Sequence, residues 1–365
     1  MRAPSEPRLE SPPPAESPLE AARRLKEAAR ALGFDPVGLA PPRLPPEELA
    51  RLEGWLAAGH QGRMDWLAHD PAARGDAGRL LEGAGAVLMV ALPYAAPSAA
   101  LPADGRRGWV ARYAQPELDY HRVFAARLEG LKEFCAALLP GVATRRFCDT
   151  APLLERAFAY QAGLGFFGKN TLLINARRGS ATLLGGLIVA APLPADGPAP
   201  LASCGACTRC LEACPTQAFP APHVLDARRC VSYLTIEHRG PVPEELRAGV
   251  SRHVFGCDLC QAVCPFNERF AAAPDPELSP DPAREHPDLL ELAAQATASF
   301  KGLARGTAFY RAGKTSFLRN LATAMGNAGD PACAPALREL AAHPDPAVSE
   351  HARWALRRVR EEPST

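Results

Sequence analysis

The chain has 365 residues, enough for two or three domains, and its formal net charge is only +1, so the total charge gives no argument for a polyanionic partner. A content of 47% hydrophobic and 22% charged residues fits a folded globular protein, and no segment reaches the ~20 consecutive apolar residues of a membrane span. The opening residues also lack the apolar stretch of a signal peptide, so a cytoplasmic protein is expected, in which clustered cysteines point to metal or redox chemistry.

Residues 1–18, rich in Pro, Ser and Glu, are expected to form a disordered tail. Residues 19–34 carry Leu19, Ala22, Leu25, Ala28, Ala29 and Leu32 near one helical face. The apolar run 85–92 predicts a buried strand. Helical spacing of Val123, Phe124, Leu128, Leu131 and Leu138 predicts a helix over 121–139. A further helix is expected over 152–162, opened by Pro152, and a second strand over 182–191. This alternation predicts an α/β or α+β domain over 19–195. A Pro-rich connection at 192–202 leads into a cysteine-bearing domain, 196–285. The last part, 286–365, reads as an all-α domain whose helices are separated at Asp330-Pro331 and Asp345-Pro346, as in HEAT repeats.

The cysteines carry the strongest chemical signal. The first run is Cys204-x2-Cys207-x2-Cys210-x3-Cys214-Pro215, and the second is Cys257-x2-Cys260-x3-Cys264-Pro265. Such spacing brings thiolates together on tight loops, as a [4Fe–4S] cube requires. In two-cluster ferredoxins the last cysteine of each run ligates the other cube. On that rule Cys204, Cys207, Cys210 and Cys264 hold cluster 1. Cys214, Cys257 and Cys260 then need a fourth ligand for cluster 2, and Cys230 is the nearby cysteine that completes it. Zinc sites also use C-x2-C pairs but rarely crowd three such cysteines before a Cys-Pro. Cys135, Cys148 and Cys333 stand in apolar contexts and are expected to be buried. Two adjacent clusters form an electron relay, and the other half of the chain must use the electrons.

Asp149 stands at a strand-to-helix junction, where a carboxyl can be held in a cleft, its pKa raised, and donate a proton. The alternative is a helix cap for the segment opened by Pro152, and the local sequence favours it. The Gly163-x-Gly165-x-x-Gly168 run follows a helix and lacks an acidic residue about twenty positions on, so it is not a dinucleotide fingerprint. A glycine-lined approach to a large cofactor fits better, with Lys169, Asn170 and Thr171 available for polar or phosphate groups.

Several further segments, in this order, resemble the epoxyqueuosine reductase family: Met64-Asp65-Trp66-Leu67, Ala111-Arg112-Tyr113-Ala114, Asp119-Tyr120-His121, Asp149-Thr150-Ala151-Pro152-Leu153-Leu154-Glu155, Gly163 through Thr171, the eight cysteines and Ser232-Tyr233-Leu234-Thr235-Ile236-Glu237. The resemblance covers about residues 20–360. It implies a cobalamin-binding N-terminal domain, a ferredoxin-like domain with two [4Fe–4S] clusters and a HEAT-like tail. It implies reduction of epoxyqueuosine to queuosine at the wobble position of tRNA, with Asp149 as proton donor. Arg112, Tyr113, Lys169, Asn170, Thr171, Ser232 and Thr235 would surround cobalamin or substrate. The partners implied are the tRNA anticodon region and an electron donor; separately, a monomer is expected. The segments Ser251–Gly256 and Gln115–Leu118 depart from the family pattern.

A tRNA partner needs a basic face. Residues 296–360 hold ten Lys/Arg and four Asp/Glu, a local +6, and Phe309 and Tyr310 are candidate base-stacking platforms. Two other functions are weighed. A reductive dehalogenase shares the corrinoid-plus-two-cluster logic but usually carries an export signal. A non-enzymatic electron-transfer module would use residues 20–195 as scaffold.

Overall fold

Alternation along one strand organises the first half of the chain. In Ala86–Pro93 the side chains of Ala86, Leu88, Val90 and Leu92 enter one apolar cluster, and those of Val87, Met89 and Ala91 enter another. Because both faces are covered, a period-two strand reads in the sequence as an unbroken apolar run. The computed structural model describes residue 4 and residues 9–94, 96, 104–199, 202–270 and 273–360. In it the strands Val37–Ala40, Ala86–Pro93, Thr182–Val189 and Thr144–Phe147 lie side by side in that order, every pair antiparallel. The arrangement is therefore α+β, because the parallel pairing of an α/β sheet is absent from it.

Two helices cover one face of this sheet. Pro18–Ala31 starts at Ser17, whose Oγ accepts the Glu20 N–H at 3.2 Å, and buries Ala21, Ala22, Leu25, Ala28 and Ala29. Tyr120–Leu138 starts at Asp119 and buries Val123, Phe124, Leu128 and Leu131 beside them. On the opposite face, Glu155–Gln161 packs Ala157, Phe158 and Ala159 against Val87, Met89 and Ile188. Two expectations change. The expected tail is anchored in its described part: Leu9 and Ala15 pack on the core and the Ala15 N–H donates to Leu138 O at 2.9 Å; residues 1–3 and 5–8 lie outside the described residues. The helix expected from Pro152 begins at Glu155, because Asp149 has φ 59 and the following bend keeps Pro152 out of the helix.

The cysteine-bearing part has little regular structure. Its two cysteine runs contain four-residue helices, Arg209–Glu212 and Leu259–Ala262. Four helices follow: Leu289–Ala304, Gly313–Ala328, Ala334–Ala341 and Pro346–Arg360. Gly313–Ala328 is the central one, with Phe317, Leu321, Ala322, Ala324 and Met325 fully buried. It is joined to the cysteine-bearing part by polar side chains that capture backbone carbonyls. Arg319, 0% exposed, donates to the carbonyls of Leu234, His238 and Gly240, and Asn320 donates to those of Thr235 and Val254. Buried peptide carbonyls need such partners. Among the described residues no helix is long and apolar enough to cross a membrane.

Candidate active site

The cysteines fall into two groups by mutual electrostatic influence. The Cys210 thiol feels Cys204, Cys264 and Cys207, and the Cys264 thiol feels Cys204 and Cys207. Cys230 feels Cys214, while Cys257 feels Cys230 and Cys214. Cys260 feels Cys257, Cys230 and Cys214, and also Cys210, so the two groups adjoin. The last cysteine of each run thus lies with the other run's set. Burial pushes the Cys210 thiol up to about 11 and raises Cys230, Cys257, Cys260 and Cys264 as well. Such thiols hold their protons until a metal displaces them. Among the described residues no three of these side chains already form a metal site, but eight thiols are the number that two four-thiolate clusters need. Cys135, Cys148 and Cys333 are buried, in the apolar clusters.

A short hairpin connects the cysteine loops to the sheet. Phe166–Phe167 pairs antiparallel with Leu173–Ile174. At its tip Lys169 Nζ donates to the carbonyls of Gly205 at 2.8 Å and Cys207 at 2.9 Å, and Asn170 Nδ2 donates to Cys260 O at 3.3 Å. These bonds tie Lys169 and Asn170 to the two cysteine loops. The glycines serve the hairpin too. A Cβ on Gly165 would lie 2.5 Å from Ile174 O, and one on Gly168 2.4 Å from Ile174 Cδ1. None of Gly163, Gly165 and Gly168 lines the cleft described next; Gly165 and Gly168 pack within the hairpin, and Gly163 lies against Gly197 O.

Beside the hairpin lies a cleft of about 1390 Å³, larger than the ~300–1,000 Å³ of sites for drug-sized ligands. Its wall is mostly apolar, with Trp55, Trp66, Tyr160, Phe166 and Phe167 among the lining residues. Cys204 and Gly205 reach it, as do Asp149, Tyr120 and Glu155. His60 lines it with a buried Nδ1 that makes no hydrogen bond among the described residues, Asp226 Oδ2 being 3.8 Å away. A wide apolar wall with an unused ring nitrogen and a cysteine loop at its edge fits a large planar cofactor next to a cluster.

Asp149 is not a helix cap. Leu154 occupies the N-cap position of Glu155–Gln161 without a side-chain bond. The Tyr120 hydroxyl donates to Asp149 Oδ2 at 2.9 Å, and His121 Nε2 lies 3.7 Å from the same oxygen. His121 Nδ1 is 2.7 Å from Asp119 Oδ1, so one imidazole stands between two carboxylates. Hydrogen bonding from His121, supported by Tyr120, holds the Asp149 carboxyl below its usual range. This overturns the expected rise. Burial opposes the charge on His121, but Asp119 and Asp149 outweigh it and raise its pKa to about 9. The carboxyl that is pushed up is Glu155, to about 8, by burial and by the Asp149 charge. Glu155 Oε1 accepts the Asp149 N–H at 2.7 Å and so grips the residue at its positive φ. Tyr120, His121 and Glu155 lie in the motifs quoted above. Their roles escaped the sequence because a helix start and a helix face, distant in the chain, meet only in the fold.

The other expected site residues are placed as follows. Thr171 and Lys169 line the cleft; Asn170, Arg112, Tyr113, Ser232 and Thr235 do not. Arg112 pairs with Glu285 at 2.7 Å, Tyr113 packs against Tyr120 and Phe255, and buried Thr235 accepts the Gly256 N–H at 2.9 Å. The basic face is also smaller than its charge count. Arg319 is buried, Arg311 pairs with Glu237, and Arg357 with Glu244. Of the two aromatic platforms, Phe309 is 2% exposed and packed against Phe255 and Phe317, whereas Tyr310 is 62% exposed.

Two thiol quartets beside a large apolar cleft with a carboxylate–imidazole network define a two-cluster iron–sulfur oxidoreductase. Residues 203–267 match the family model "4Fe-4S double cluster binding domain", and residues 74–150 match "Epoxyqueuosine reductase QueG, DUF1730". The chain belongs to the epoxyqueuosine reductase family: it is 41% identical over 360 residues to the epoxyqueuosine reductase of Pseudomonas aeruginosa, covering 95% of this chain and 96% of that one. It is 38% identical to the Escherichia coli enzyme over 339 residues, covering 92% and 88%. A crystal structure of epoxyqueuosine reductase with an epoxyqueuosine-modified tRNA-Tyr stem loop superposes with a TM-score of 0.84 at 31% identity, covering 92% of this chain and 89% of that one. A Bacillus subtilis structure with its catalytic aspartate loop swung out of the active site matches equally, at a TM-score of 0.84 and 31% identity, with 92% and 90% covered.

Proposed function

We propose that this chain reduces epoxyqueuosine to queuosine in tRNA, using two [4Fe–4S] clusters and a cobalamin held in the cleft. The observation that carries the reading is the cleft itself, which reaches from the Cys204 loop to Asp149. Cys204, Cys207, Cys210 and Cys264 would hold one cluster and Cys214, Cys230, Cys257 and Cys260 the other. The bound clusters supply electrons singly, and cobalamin supplies the reducing metal centre. The domain limits follow the same division: a cobalamin-binding part over 19–195, a ferredoxin-like part over 196–285 and a HEAT-like part over 286–365.

The chain's own residues manage the proton. Removing the epoxide oxygen as water consumes two electrons and two protons. Asp149 is the group at the cleft wall placed to hand a proton to that oxygen. Its carboxylate is ionised at rest, so it must first receive one, and His121, with its pKa raised to about 9, holds a proton 3.7 Å away. Tyr120 fixes the carboxylate by its hydroxyl, and Glu155 fixes the backbone. A catalytic aspartate loop in the Bacillus subtilis relative supports giving the acid role to Asp149.

The test is incubation of the reconstituted protein with cobalamin, a reductant and epoxyqueuosine-bearing tRNA, read by nucleoside mass spectrometry. Loss of one oxygen is expected, and an unchanged nucleoside overturns the reading. Asp149→Asn should retain iron and cobalamin and lose about 10²–10⁴-fold in turnover. Full activity in that variant would remove Asp149 from the acid role.

A further inference from the structure

A second, smaller cavity of about 400 Å³ lies next to the proton network, lined by Asp119, Lys301, Arg305, Gly306, Thr307 and Tyr310. The Asp119 N–H donates to Gly306 O at 3.1 Å, and Asp119 immediately precedes Tyr120 and His121, the two side chains on Asp149. The cavity therefore opens beside the reaction site on the face formed by the C-terminal helices. Lys301 and Arg305 are both exposed, and among the described residues neither makes an ion pair or a side-chain hydrogen bond. The acidic group in the wall, Asp119, is engaged by His121 at 2.7 Å. Tyr310, 62% exposed, presents an aromatic ring at the same cavity. The helix Leu289–Ala304 bends at Ser299, whose Oγ accepts the Gly302 N–H at 3.1 Å, and its end carries both cations to this place.

Two cations without partners beside an exposed aromatic ring form the combination that holds one nucleotide of single-stranded RNA: charge for the phosphate, a flat face for the base. We propose that this cavity binds the nucleotide adjoining the one whose base enters the large cleft, with Lys301 and Arg305 on its phosphate and Tyr310 stacked on its base. The proposal rests on the functional reading above and deepens it by locating the RNA backbone. It also separates recognition from chemistry, since none of the three side chains touches Asp149 or the cysteine loops.

The experiment measures binding of an epoxyqueuosine-bearing anticodon stem-loop by fluorescence anisotropy across a salt series, using the cluster-loaded protein. A Lys301→Ala/Arg305→Ala double variant should flatten the slope of log affinity against log salt by about 0.7, the value for one phosphate contact on a single strand. Tyr310→Ala should weaken binding about tenfold with the slope unchanged, and Tyr310→Phe should restore it. A wild-type slope in the double variant, or wild-type affinity in Tyr310→Ala, overturns the proposal. Failure of the unmodified protein to bind the stem-loop would instead overturn the tRNA reading itself. Iron content equal to wild type shows that each variant is folded.

Discussion

In the sheet, Leu88 and Met89 are fully buried and the strands' hydrogen bonds are made to one another. In the cysteine runs the helices carrying Cys210 and Cys260 are four residues long, and the tip of a hairpin far away in the chain supplies bonds to their loops. The nearby apolar cluster is small, built on Ala227, Val231, Tyr233, Leu234, Val242, Leu246 and Val250. The sheet is stabilised by area removed from water. The cysteine-bearing part relies on captured carbonyls, on neighbours, and on the groups that it binds. Substitutions of similar size should therefore fail in different ways in the two regions.

The largest contrast is expected from Cys260→Ser. It should remove about half of the bound iron, one cluster of two, and abolish turnover, while the sheet keeps its hydrogen-exchange protection. Protection lost equally in both regions would break the comparison. Arg319→Met should cost about 3–5 kcal/mol, because the carbonyls of Leu234 and Gly240 lose their side-chain donor and that of His238 keeps only Ser316 Oγ at 3.4 Å. The loss should appear as faster exchange at the seam with the C-terminal helices. Leu88→Ala should cost about 3 kcal/mol as a cavity in the sheet core, with iron content unchanged in the folded fraction. A loss of iron there would show that the two regions are not separately held.

The smallest effect sharpens the picture at the cleft. Glu155 has a folded-state pKa of about 8 against an ordinary 4.5. The folded chain therefore binds this proton more tightly than the unfolded chain, and the stabilisation is complete below pH 4.5 and lost as pH rises through about 8. Glu155→Gln keeps an acceptor for the Asp149 N–H and removes the titration. Its unfolding free energy should fall less between those limits than that of the unmodified protein, and parallel pH profiles would refute this assignment.

The sequence made the sheet's inner strands and main helices legible because apolar periodicity survives any choice of partner. It could not show that Thr144–Phe147 joins the sheet beside Thr182–Val189, since periodicity names a face and not a neighbour. The cysteine spacing was legible for the same local reason, and the family model of a 4Fe-4S double-cluster domain matches the segment that carries it, residues 203–267. Charges were the least legible. Arg319, Lys169 and Glu155 look alike as surface residues in a sequence; one is buried as a carbonyl clamp, one is tied to a cysteine loop and one holds its proton to about 8. Their roles depend on groups 36 to 85 positions away, except in Glu155, where the six-residue distance to Asp149 hides a hydrogen bond across a bend.

The hairpin Phe166–Ile174 has a consequence for anyone who would exchange parts between relatives. It belongs by chain position to the sheet, yet its tip grips Gly205, Cys207 and Cys260 while its aromatic residues form part of the cleft wall. A graft that transfers only the cysteine-rich segment would leave this coupling piece behind and mate a foreign sulfur cage with an unmatched tip. Chimeras cut before Phe166 should accept a transplanted redox module, and those cut at the Pro-rich connector after Val189 should not.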